Sequence, residues 1–109
     1  MSQEGTQLFA LIVGFRSGII VSPQIGITES LFAEAAANQM IMYFQGVPIP
    51  LGGSIVQEVT PGIWEIEINE AKKKMLNEFV NRRFPQNHGQ EPTFYIASED
   101  AINALRKAA

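Results

Sequence analysis

The run QLFALIVGF, residues 7–15, leaves this chain few options. Successive side chains of a strand point to opposite faces, and from Leu8 onward both faces of this one are apolar. Such a strand has to be covered, so the run predicts the centre of a sheet and not its wet edge. GIIVS, residues 18–22, is also rich in β-branched residues and reads as a second strand, with RSG as the turn between them. Pro23 ends that strand because it has no N–H to give to a ladder.

The next segment reads as a helix from Glu29 to about Gln45. Thr28 is placed as its N-cap, Glu29 lies in the first turn and Gly46 stands at the position after the end. Ala33, Ala37, Met40 and Phe44 follow helical spacing. Phe32, Ile41, Met42 and Tyr43 are apolar as well, so this helix would need cover on two sides. Beyond it, Pro48 and Pro50 alternate with Val47, Ile49 and Leu51. The prolines predict an extended segment that cannot serve as a central strand.

SIVQEVTPGIWEIEI, residues 54–68, predicts a hairpin with Pro61 and Gly62 at the two central turn positions. The register from that turn sets Val59 opposite Trp64, Gln57 opposite Ile66 and Ile55 opposite Ile68. On the other face it sets Glu58 against Glu65 and Val56 against Glu67. Asn69 then caps a second helix, Glu70 to about Phe84, with Ala71, Met75, Leu76, Phe79 and Val80 as its apolar stripe. Pro85 stops it. PQNHGQEP is a polar loop, TFYIA a fifth strand, and Ser98 caps a short last helix from Glu99 to about Lys107.

The expected architecture is one compact α+β domain over residues 1–109, in the order ββαββαβα. Its sheet is mainly antiparallel or mixed, with the helices packed on one face. The chain has no cysteine, which excludes disulfides, thiolate metal sites and cysteine nucleophiles and suits a cytoplasmic setting. No apolar run approaches the ~20 residues of a membrane helix, and MSQEGTQLF lacks the basic start of a secretory signal. The expectation is therefore no membrane association.

Chemistry is sparsely represented. His88 is the single histidine, and Asp100 the single aspartate. With no cysteine or second histidine beside it, His88 predicts neither a metal site nor a triad, and no G-x-S-x-G accompanies it. No catalytic residue, cofactor or metal is assigned, and the chain reads as non-enzymatic. Glu58, Glu65 and Glu67 form an acidic hairpin face, a candidate for a cation or a basic partner. Arg16, Lys73, Arg82 and Arg83 are candidate anion contacts, although GFRSG and LGGS lack the Lys-Ser/Thr of a phosphate loop.

Charge is unevenly distributed. Up to Ala71 one cation, Arg16, faces seven glutamates, and from Lys72 on seven cations face four acids. The net charge of −3 and the absence of a nucleic-acid motif disfavour nucleic-acid binding, with the basic second helix as its remaining route. The leading expectation is an interaction or assembly module that binds a protein partner or itself. The surface assigned to it is Met40, Met42, Tyr43, Val47, Ile49 and Leu51. A small-ligand, anion or metal-binding domain using the acidic face is the alternative.

Overall fold

The computed structural model describes residues 5–16, 18–20, 26–87 and 89–108. Pro23 and His88, read above as a strand stop and a loop histidine, lie outside the described residues. Strands β1 (Gln7–Phe15), β2 (Gly18–Ile20) and β3 (Gly26–Ser30) precede helix α1 (Ala33–Gln39). Strands β4 (Ile41–Phe44), β5 (Val47–Pro50), β6 (Ser54–Thr60) and β7 (Ile63–Glu67) follow. Helix α2 (Glu70–Arg83), a 3-10 turn (Pro85–Asn87), β8 (Thr93–Ser98) and α3 (Glu99–Ala108) complete the order. This is an α+β domain, and every strand pairing among the described residues is antiparallel.

The main sheet runs β2-β1-β8-β7-β6, and β3 shares the β2 side of β1. β1 is central, as its two apolar faces require. Its odd residues Phe9, Leu11, Val13 and Phe15 enter the larger core with Ala36, Ala37, Leu76, Val80 and Phe84 from α1, α2 and the end of α2. Phe9 also meets Trp64 of β7, ring centroids 6.1 Å apart and tilted by 60°. The even residues Ala10 and Ile12 enter a second core with Ile63, Ala97 and Ile102. Helix α3 therefore lies on the opposite face from α1 and α2. The one-faced arrangement expected from sequence holds for two helices of the three, because a doubly apolar β1 needs a layer on each side.

The long helix expected over 29–45 is replaced by three shorter elements. Residues 26–30 pair with β1, with Thr28 opposite Phe9 and Glu29 opposite Leu8. The β2 pairing reaches only Val13–Phe15, and without β3 the N-terminal half of β1 would carry a bare row of N–H and C=O groups. Helix formation ends at Gln39. Met40 has φ −55° and ψ 131°, and its carbonyl accepts from Leu51 N at 2.9 Å. The chain turns back at Gln45 (φ 53°) and Gly46 (φ 81°), both in the left-handed region that a type I′ hairpin turn demands. Gly46 is thus a hairpin residue and not a helix terminator.

The Pro61-Gly62 hairpin forms as expected, but its register is shifted twice. Thr60 pairs with Ile63, Glu58 with Trp64, Gln57 with Glu65 and Ile55 with Ile66, with irregularities that leave Val59 and Val56 bulged. The predicted pairs Val59–Trp64, Gln57–Ile66 and Ile55–Ile68 are not made. Bulges twist an edge strand and spoil it as a template for strand addition, which suits β6 at the sheet margin. Asn69 caps α2 as read, its Oδ1 accepting from Ala71 N at 2.9 Å. Asn69→Ala removes that acceptor and is expected to cost about 1 kcal/mol in urea unfolding. An unchanged midpoint would show that water replaces the cap.

Candidate functional site

β4 and β5 form a separate two-stranded sheet with Ile41 opposite Pro50, Met42 opposite Ile49, Tyr43 opposite Pro48 and Phe44 opposite Val47. Directly opposed residues share a face, and neighbours along a strand alternate. The Met42–Ile49 face turns inward. Met40, Met42 and Leu51 are at most 1% exposed and belong to the chain's own core, and Ile49 is half-buried. Three of the six residues assigned to a partner surface are therefore unavailable to one. The supposed excess of apolar residues around a helix was the inner face of a hairpin.

The other face holds Ile41, Tyr43, Pro48 and Pro50, all exposed. Tyr43 stands 64% open and Ile41 42%, while Val47 at the tip is 58% open. Of the six expected contacts, Tyr43 and Val47 remain at the surface. Ile41, Pro48 and Pro50 join them although sequence reasoning did not select them. Their signal was present in IMYF and VPIP, where a period of two places the residues together once a turn at Gln45-Gly46 is granted.

The hydrogen-bond phase of this hairpin decides what its edge can do. Leu51 N donates to Met40 O, so 40/51 is a bonded pair. Bonded and non-bonded pairs alternate in an antiparallel ladder. The pairs 41/50 and 43/48 are then non-bonded, and the backbone nitrogens of 48 and 50 lie on the outer edge of β5. Both are proline nitrogens without a hydrogen. That edge of β5 presents no N–H donor, so a further strand cannot extend the ladder there. Only the β5 edge is closed in this way, because the same phase turns the N–H and C=O groups of Ile41 and Tyr43 outward along β4.

The other candidates are dispersed or already engaged. Glu58 does not face Glu65. Its Oε2 accepts from Gly62 N at 3.3 Å, and Glu65 Oε1 accepts from Gln57 Nε2 at 3.1 Å. The register shift at Val59 removes the like-charge pair that the regular hairpin would have made. Glu65 and Glu67 share an open recess of about 440 Å³ with Glu70, Lys73 and Glu91. Lys73 Nζ lies 3.2 Å from Glu91 Oε1. No group of three acidic, histidine or cysteine residues is placed to hold a metal among the described residues.

Arg82 pairs with Glu78 at 2.8 Å, and the Arg83 guanidinium lies 5.8 Å from the Phe79 ring centroid. Arg16 lines a recess of about 630 Å³ with Gln90, Thr93 and Tyr95. The structure thus brings Glu65, Glu67 and Lys73 to one recess, and sets Arg16 on a second that shares Glu91 and Thr93 with it. No helix among the described residues is long and apolar enough to cross a membrane. Comparison of the chain with protein-family models, curated proteins and solved structures finds no match.

Proposed function

We propose that this chain is a non-enzymatic protein-interaction or assembly module that docks through the outer face of the β4–β5 hairpin. The observation that carries this reading is the row Ile41, Tyr43, Pro48 and Pro50, four apolar side chains from paired strands on one exposed face. A rigid aromatic opposite a proline is an efficient contact, because little side-chain freedom is lost when it is covered. The absence of cysteine supports placing this activity in the cytoplasm.

The test is a paired substitution, Tyr43→Ser with Pro48→Ser, set against Val56→Ser with Val59→Ser on β6. The hairpin pair is expected to weaken the chain's association, with itself or another protein, at least ~10-fold while leaving its fold intact. The β6 pair leaves association unchanged. Size-exclusion chromatography with light scattering reads the outcome. Association that is indifferent to the hairpin pair, or absent from the parent chain, overturns the reading.

A further inference from the structure

We infer that the groove between α3 and the β1–β3 ladder binds a short aliphatic peptide with free ends, its amine at Glu99 and its carboxylate at Arg106. Glu99, Ile102, Asn103 and Arg106 recur at helical spacing and line one wall of a recess of about 330 Å³. Leu8, Ala10 and Ile27 line it from the sheet. Leu8 opposes Glu29 and Ala10 opposes Ile27 in the ladder, so all four side chains share the face on which α3 packs. That face is covered only in part. Ala10 and Ile102 are buried, whereas Leu8 is 40% and Ile27 55% exposed. The exposed pair makes an apolar floor beside the helix, and the volume suits a small ligand.

The charges at the two ends of the groove select that ligand. At the Glu99 end the groove adjoins a second recess, where Glu29, Glu99 and Asp100 stand around Leu8. At the other end Arg106 is the cation. Among the described residues neither Glu99 nor Arg106 is taken up in an ion pair. A wholly apolar ligand gains nothing from either charge, and an inorganic anion gains nothing from the floor. A zwitterion with an aliphatic body engages acid, floor and base together. Glu99 and Arg106 lie two turns apart on α3, a rise of about 10 Å. An extended chain covers about 3.3–3.6 Å per residue, so about three residues join the two charges and a single amino acid falls short. Asn103 stands between the ends on the same helix face and offers its amide to the peptide backbone.

Chemical-shift titration of the full chain with the tripeptide Ala-Leu-Ala, free at both ends and taken to about 5 mM, tests this. Saturable shifts are expected at Leu8, Ile27 and Asn103. Acetylating the peptide's amine or amidating its carboxylate is expected to weaken binding at least ~3-fold each. Replacing its leucine with serine weakens binding at least ~5-fold. Glu99→Gln abolishes the penalty of acetylation alone, and Arg106→Gln that of amidation alone. Both side chains are exposed, so the variants keep the parent's fold, which circular dichroism reads. The β4–β5 hairpin packs on the opposite face of the sheet, with Met42 in the core of α1 and α2. The Tyr43→Ser, Pro48→Ser pair therefore leaves peptide binding unchanged, and the two proposals stand or fall separately.

No saturable shift by about 5 mM overturns the inference. So does equal binding of the free and blocked peptides, or of the leucine and serine forms. A penalty that persists unchanged in both Glu99→Gln and Arg106→Gln removes these residues from the site, and a dipeptide that binds as tightly as the tripeptide refutes the span.

Discussion

Gly62→Ala is expected to lower the stability of the domain by roughly 2–4 kcal/mol, a drop of about 10–20 °C in melting temperature. Gly62 has φ +84°, a backbone conformation that L side chains rarely adopt. A Cβ added there would lie 2.8 Å from Ser98 Oγ and 2.9 Å from Ala101 Cβ. The glycine is also tied down, because Ser98 N donates to its carbonyl at 2.9 Å and its own N–H donates to Glu58 Oε2. Ser98 Oγ in turn accepts from Ala101 N at 3.3 Å at the start of α3. The turn cannot retreat without giving up the bond to β8, and α3 cannot retreat without loosening its first turn. Strain and crowding therefore add. A loss below ~0.5 kcal/mol would mean that the turn or the helix start yields freely.

The same glycine marks how far the sequence could be read. Pro61-Gly62 announced a turn, and the turn formed between the strands that flank it. The register did not follow, because bulges at Val56 and Val59 leave no trace in a run whose two faces are both tolerant of valine. β1, α2, β8 and α3 were legible because their patterns are long and their caps, Asn69 and Ser98, are local. β3 was not. GITES has a good helix cap in Thr28 and Glu29, and what makes it a strand is the open edge of β1 some 20 residues earlier. Only the fold supplies that partner.

The segment 40–51 was misread for a related reason. Met40 and Phe44 satisfy a helical period, and Met40 and Met42 satisfy a strand period, so an all-apolar run does not choose between them. Gln45-Gly46 is a weaker hairpin signal than Asn-Gly, and it alone carried the information. The residues selected from this stretch accordingly came from both faces of the hairpin at once. Alternation across a two-stranded sheet separates them: Tyr43 outward, Met42 inward.

That separation yields the second large effect. Met42 is 1% exposed and packs in the main core with Met40 and Leu51. Met42→Ala leaves a cavity between the hairpin and the sheet and is expected to cost about 2–4 kcal/mol. Tyr43→Ser, one residue along, removes a ring that is 64% exposed and is expected to change stability by less than ~1 kcal/mol. Urea unfolding and sedimentation, run on both variants, should then give opposite patterns. Met42→Ala lowers the unfolding midpoint, while Tyr43→Ser leaves it in place and loses association. Any loss of association in Met42→Ala should track the fraction unfolded. Were Met42→Ala to keep full stability, the hairpin would not be anchored in the core. Its outer face would then lack the rigid support on which the proposed docking depends, since each degree of freedom frozen on docking subtracts from affinity.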